Sequence, residues 1–93
     1  YLLVPPTVYL LSQNYPNPFN PLTTINYALP SSGHVKLTVL NMLGQEVTEL
    51  VNEIQEPGYK TVSFDARYLP SGVYTYRISA GAFTDVKKML FIK

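Results

Sequence analysis

The 93-residue chain contains no cysteine, only one histidine and almost no net charge. Without cysteine it cannot form disulfides, thiolate metal sites or a thiol nucleophile. Seven basic and six acidic residues leave a formal charge of +1, which indicates neither nucleic acid nor an anionic membrane surface as the partner. The longest apolar runs, such as residues 89–92, are far shorter than the roughly 20 residues of a membrane-spanning helix. We therefore expect no nucleic-acid partner and no transmembrane segment.

Catalytic and metal-binding residue types are also scarce. A catalytic group needs a partner that orients it, yet His34 falls on the outward face of a predicted strand. Asp65 and Asp85 are isolated, and the amides at positions 14, 17 and 20 are not the carboxylates that dominate calcium loops. We predict that the chain is not an enzyme and that it binds no metal or cofactor.

What the chain does contain is typical of one small globular domain. The hydrophobic fraction is 46%, with eight Tyr and four Phe. A domain of this size buries roughly 60–65% of the surface of its unfolded chain, so packing alone must stabilise it. The chain does not begin with Met, and its apolar start ends in Pro5 and Pro6. We expect a piece of a longer protein, with residues 1–7 as the linker from an upstream domain and residues 8–93 as the domain itself.

Alternating apolar and polar residues predict an all-β fold. Ile25, Tyr27 and Leu29 share one face of a segment, and Val35, Leu37 and Val39 are expected inward while His34, Lys36 and Thr38 point outward. Seven short strands separated by Gly, Pro and Asn turns predict an immunoglobulin-like antiparallel β-sandwich. The predicted strands are residues 9–13, 23–29, 34–39, 45–54, 59–64, 73–78 and 86–92.

Residues 45–54 are ambiguous, because their apolar residues also fall on one face of a helix. We interpret the segment as a strand, since its neighbours are strand-like and a Pro-Gly turn follows closely.

The stretch QNYPNPFNP, residues 13–21, is called the proline segment below. Its three prolines lack backbone donors and keep the preceding residues out of the helical region, so it must run extended without full ladder pairing. We expect it along a sheet edge or rim, with Phe19 and also Tyr15 anchored in the core. The asparagine amides would bond the backbone groups that a regular strand pairs.

Tyrosines and lysines each allow two interpretations. Six tyrosines are candidates for a sugar- or base-stacking surface: Tyr15, Tyr27, Tyr59, Tyr68, Tyr74 and Tyr76. We instead expect Tyr74 and Tyr76 in the core, with a hydroxyl tied to a loop as in a tyrosine corner. Lys87, Lys88 and Lys93 are either a recognition patch or charges that keep an edge strand from pairing with other chains.

Four motifs, in order along residues 10–93, resemble the type A C-terminal sorting domain of the type IX secretion system. They are the segments 11–25, 39–47, 70–78 and 88–93. A weaker likeness is to the Ig-like domain of flagellar hook-capping proteins. Many sorting domains have Asp where Asn41 stands here, and Asn makes the same turn contact without charge. The residues that carry the likeness are Asn14, Pro16, Asn17, Pro18, Phe19, Asn20, Pro21, Leu43, Gly44, Ser71, Gly72, Tyr74 and Tyr76.

The resemblance implies a non-catalytic address label on a cargo protein, found in the Bacteroidetes and related phyla. Cargo would reach the cell surface or medium through the periplasm, with an outer-membrane translocon as reader and a sortase-like enzyme that removes the domain. An Ig-like carbohydrate-binding or surface-assembly module that stays on its parent protein is the alternative. The resemblance marks the last strand as the recognition candidate: Val86, Lys87, Lys88, Met89, Leu90, Phe91, Ile92 and Lys93. We expect this strand to offer an open edge for β-augmentation.

Overall fold

The computed structural model describes residues 4–93. Within that range all regular structure is β, and no helix long and apolar enough to cross a membrane is found there. The strands are β1 Leu10–Leu11, β2 Leu22–Leu29, β3 Gly33–Leu40, β4 Glu46–Gln55, β5 Gly58–Asp65, β6 Gly72–Ala80 and β7 Phe83–Phe91.

Two antiparallel sheets pack face to face. One contains β1-β2-β5 in that order and the other β4-β3-β6-β7. The predicted immunoglobulin-like β-sandwich is therefore confirmed. Part of the predicted linker 1–7 lies outside the described residues, and residues 4–7 form no strand.

The core is filled by the inward residues of both sheets, as the alternation predicts. Ile25, Leu37, Val39 and Tyr76 are fully buried. Burial of this apolar surface is the main stabilising contribution in a domain without disulfides.

Segment 45–54 is a strand, as interpreted from the sequence. Its register against β3 slips twice, so that Val47 and Leu50 have no directly paired residue. At a β-bulge of this kind one extra residue is inserted and the strict alternation of faces is lost. Val47, Leu50 and Val51 can then all pack partly against the core, which explains their helix-like spacing.

Three details of the strand prediction are wrong. The last strand begins at Phe83 rather than at residue 86, because the turn at residues 81–82 is tighter than expected and pairing with β6 starts directly after it. The first strand is only Leu10–Leu11 rather than residues 9–13, because after the Ser12 N–H bond to the Asn26 carbonyl the chain leaves β2 for the proline segment. Thr38 is buried instead of outward and solvated. It lies on an inner strand, where its register neighbours Glu49 and Arg77 flank it on both sides.

Candidate recognition site

The recognition candidates, residues 86–93, are the last six residues of β7 and the two residues after it. β7 is the outermost strand of its sheet and pairs along its length with β6. Residues paired directly across antiparallel strands share a face, so Lys88 opposite Thr75 and Leu90 opposite Val73 lie on the outer face. Met89 and Phe91 point inward and are buried. Of the rest, Val86, Lys88, Ile92 and Lys93 are exposed, and Lys87 and Leu90 are partly so.

The proline segment covers the free edge of β7. Phe19 N–H donates to the Leu90 carbonyl (3.0 Å), and the Ile92 N–H donates back to the Phe19 carbonyl (3.1 Å). Asn17 Oδ1 accepts the Leu90 N–H at 2.9 Å, and Gln13 Nε2 donates to the Lys88 carbonyl at 2.6 Å. The outward backbone groups from Lys88 to Ile92 are thereby bonded within the domain.

The expectation of an open β7 edge is therefore wrong for this half of the strand. A partner strand cannot add there unless the proline segment first leaves. Nearer the start of β7, the Val86 N–H is also occupied, because Asp85 Oδ1 accepts it at 2.9 Å. These backbone groups are therefore bonded within the domain, while the side chains of Val86 and Lys88 stay exposed.

Phe19 anchors the proline segment, as expected. It is 2% exposed and stacks on Phe91 with ring centroids 5.2 Å apart, and it also contacts Phe64. Tyr15, which we also expected in the core, is 81% exposed. Its backbone bridges Thr24 of β2, where the N–H and the carbonyl of each residue bond the other. That pairing fixes the backbone at the sheet and leaves the side chain in solvent.

Asn14 holds the interior of the proline segment together, as predicted for its amides. Its Nδ2 donates to Thr23 Oγ1 (3.0 Å) and to the Pro16 carbonyl (3.2 Å), which the Thr23 hydroxyl also reaches at 2.8 Å. Asn20 is exposed. The peptide bonds before Pro16, Pro18 and Pro21 are cis.

Gln13 and Thr23 were not among the residues singled out from the sequence. The alternation that places Ile25 inward also places Thr23 inward, so its burial was detectable. The bond from Gln13 to Lys88 joins residues 75 positions apart and left no local signal.

Tyr74 and Tyr76 belong to the core, as predicted. The Tyr74 hydroxyl donates to the Pro70 carbonyl at 2.7 Å, a tie from strand to loop like that of a tyrosine corner. The Tyr76 hydroxyl donates to the Ser12 carbonyl at 2.6 Å, just before the proline segment. Burial raises the pKa of Tyr76 to about 12, despite an opposing hydrogen bond with the Asn14 backbone. Burial also raises the pKa of Tyr27, whose hydroxyl bonds Gln55.

The Leu43-Gly44 and Ser71-Gly72 motifs meet at one end of the four-stranded sheet. Leu43 lies in the β3–β4 turn and is 82% exposed. Ser71 precedes β6, and its Oγ accepts the Lys93 N–H at 2.9 Å. These motifs therefore lie beside the end of the C-terminal strand.

His34 is exposed at the start of β3. In residues 4–93, no three His, Cys, Asp or Glu side chains cluster so that they could hold a metal ion.

A comparison with protein families matches residues 13–93 to the secretion system C-terminal sorting domain, the sorting signal of type IX secretion. No curated protein matches the chain. The family match begins at the first residue of the proline segment and includes that whole segment, the β3–β4 turn and β7. The chain therefore belongs to the family of secretion system C-terminal sorting domains.

Proposed function

We propose that the type IX translocon in the outer membrane reads this domain in its folded state, through the side chains of β7 and the residues that follow it. The chain is a C-terminal sorting signal of a non-catalytic family, attached to a cargo polypeptide that is secreted to the cell surface or medium.

The observation that supports the proposal is the set of hydrogen bonds between the proline segment and β7. Two parts of the family motif, far apart in sequence, bond to each other and hold the last strand in one fixed position. A preorganised surface loses less conformational entropy when a partner binds. These hydrogen bonds thus favour a translocon component that binds the folded domain over one that binds an extended C-terminal tail.

The distribution of positive charge also supports recognition through β7 and the residues after it. Three of the seven basic residues, Lys87, Lys88 and Lys93, lie in the last seven residues, where there is no acidic side chain. Complementary charge on the translocon would orient the domain and speed its capture.

The sharpest test replaces these three lysines with serine in a reporter fused to the full chain, in a bacterium with type IX secretion. The matched control removes three positive charges elsewhere, at Lys36, Lys60 and Arg67. We expect reduced export only for the first variant. Equal export of both variants would refute the role of the lysines. Deleting residues 89–93 is a poorer test, because Met89 and Phe91 are buried and the fold would be lost with the signal.

The upstream residues have a separate role in the proposal. Residues 1–7 would be the linker and residues 8–93 the domain, and a sortase-like enzyme would cut within or before the linker. Mass spectrometry of exported cargo checks this step: a new C-terminus at or before residue 7 is expected, and cargo that keeps the domain contradicts it.

A second candidate is an Ig-like carbohydrate-binding module that stays on its parent protein. It is favoured by the exposure of Tyr15, Tyr59 and Tyr68, which are 81%, 55% and 92% exposed. Exposed tyrosine rings are suited to stacking on sugars. Glycan-array binding that is lost in a triple Tyr→Ser variant would support this function, and absence of binding to any glycan would remove it.

A further inference from the structure

The β3–β4 turn, residues 41–44, is unusually well bonded for an exposed loop. Asn41 Oδ1 accepts the N–H groups of Leu43 (2.9 Å) and Gln45 (3.0 Å), while Asn41 Nδ2 donates to Gln45 Oε1 at 2.8 Å. The backbones of Asn41 and Gln45 bond at 2.9 Å, and the Gly44 N–H reaches the Asn41 carbonyl at 3.0 Å. Gly44 has a φ of 80°, which only glycine adopts without strain.

This rigid turn holds two large apolar side chains in solvent. Met42 is 79% exposed and Leu43 is 82% exposed. Neither side chain contributes to the core, and the bonds of the turn come from Asn41, Gly44 and Gln45. The two positions could therefore be polar without loss of the turn. Contiguous exposed apolar side chains with polar residues around them mark interaction surfaces, and Met is enriched in protein interfaces.

The turn lies next to the end of β7. A groove of about 230 Å³ separates Met42 and Leu43 from the loop at Ser71. A second groove of about 330 Å³ runs from Met42 past Val73 to Lys88. Because Ser71 also bonds the Lys93 backbone, the turn and the last residues of the chain belong to one continuous surface.

The charges on this surface indicate the kind of partner. Lys88 lines the second groove, and Lys93 ends the chain beside Ser71. The acidic residue nearest to the β3–β4 turn along the chain is Glu46. Its carboxylate lies 3.9 Å from the Lys36 ammonium on the same sheet. The apolar turn is thus accompanied by positive charge, which complements an apolar pocket with an acidic rim.

We propose that Met42 and Leu43 are anchor residues that insert into an apolar, acid-rimmed pocket on the sorting-machinery protein that reads β7. This inference rests on the proposed function, since it gives the same reader a second point of contact. Two contacts at one end of the sandwich would fix the orientation of the domain, which a single basic strand cannot do.

The test is export of a reporter fused to the full chain with both Met42→Ser and Leu43→Ser. The matched control carries Val8→Ser and Ile54→Ser, two other exposed apolar residues that are 66% and 77% exposed. Ile54 pairs with His34 at the opposite end of the same β3–β4 hairpin. We expect the first variant to lower export by about tenfold, as loss of an anchor does, and the control to export normally. Thermal unfolding of both variants should match that of the unaltered chain.

Normal export of the Met42/Leu43 variant, with export abolished by removal of the whole domain, would overturn this inference and leave the proposed function intact. If removal of the whole domain leaves export unchanged, the proposed function itself fails.

Two measurements on the purified chain test other occupants of the surface. Concentration-dependent dimerisation that disappears in the double variant would assign the turn to a second copy. Flotation with phosphatidylglycerol vesicles that disappears in the double variant would assign it to a lipid surface. Either result would overturn the inference, and we expect neither.

Discussion

The two edges of the four-stranded sheet are protected in different ways. At β7, the proline segment bonds the outward backbone groups from Lys88 to Ile92. At β4, the opposite edge, no other strand pairs beyond the β3 hairpin in the described sheet, and the strand instead carries Glu46, Glu49 and Glu53. An unpaired strand edge invites association with other chains, and charge or coverage prevents it.

The difference shows what the proline segment contributes. The charges of β4 leave its outward backbone groups available for pairing. Two bulges in β4 disturb regular pairing as well. β7 is regular along its whole length, and so would pair easily if uncovered. Covering its second half makes the outward backbone groups from Lys88 to Ile92 unavailable and leaves the side chain of Lys88 exposed.

The largest expected effect follows from removing the anchor of the covered edge. Phe19→Ala deletes a buried ring that stacks on Phe91, and we expect it to lower the free energy of unfolding by about 3–5 kcal/mol. Chemical denaturation measures the change. Tyr15→Ala, in the same segment but exposed, should change stability little, and an equal loss in both variants would contradict the assigned anchor.

Breaking one bond of the cover should have a smaller effect. Asn17→Ala leaves the Leu90 N–H without its acceptor and should cost about 1 kcal/mol. Hydrogen exchange at Leu90 should accelerate more than at residues within β3. Asn20→Ala, at an exposed asparagine of the same segment, is the control; if it has the same effect at Leu90, the side chain of Asn17 is not what protects that amide.

The Tyr76 hydroxyl bonds the chain just before the proline segment to β6. The ionisation of Tyr76 makes the stability of the whole domain depend on pH. Its pKa is raised from 10.0 to about 12 by burial, so the folded state favours the neutral phenol. This contribution is complete below pH 10 and is lost as the pH rises toward 12, because the unfolded chain ionises first. Tyr76→Phe should make the decline of stability between pH 10 and 12 less steep, as measured by thermal unfolding at a series of pH values. Tyr68→Phe, at an exposed tyrosine, should leave the decline unchanged.

The smallest effect concerns the open edge. Glu49→Val together with Glu53→Val removes two of the three negative charges of β4, and we expect weak self-association, seen as a sedimentation coefficient that rises with concentration. Lys87→Val with Lys88→Val at the covered edge should not associate. Association of the β7 variant alone would show that β7 is the more accessible edge.

Much of the fold was predictable because strand periodicity is local. The alternation at Ile25, Tyr27 and Leu29 placed three core residues correctly, and the tyrosines of β6 followed the same rule. The strand at residues 45–54 was predicted in spite of a helix-like spacing, and its bulges explain that spacing. Outward residues were predicted less well. Thr38 is buried because two neighbouring strands flank it, and the alternation pattern does not encode which strands are neighbours.

The candidate site was predicted less well, since its geometry depends on distant partners. Phe19 was placed in the core on its hydrophobicity, and correctly so. Tyr15, equally aromatic, was misplaced because only the bridge to Thr24 determines where its side chain points. The exposure of Met42 and Leu43 was not predicted either, as an apolar pair in a turn gives no sign of which face it meets.

By itself, the sequence determined that the chain forms a small β-sandwich without disulfides and that three prolines keep residues 13–21 out of a regular ladder. Those properties depend on residue chemistry and on spacings of a few positions. Only the tertiary structure decided that this segment covers β7, through a bond between residues 73 positions apart at Asn17 and Leu90. A contact at that separation depends on how distant strands are placed by the packing of both sheets, which spacings of a few positions do not encode.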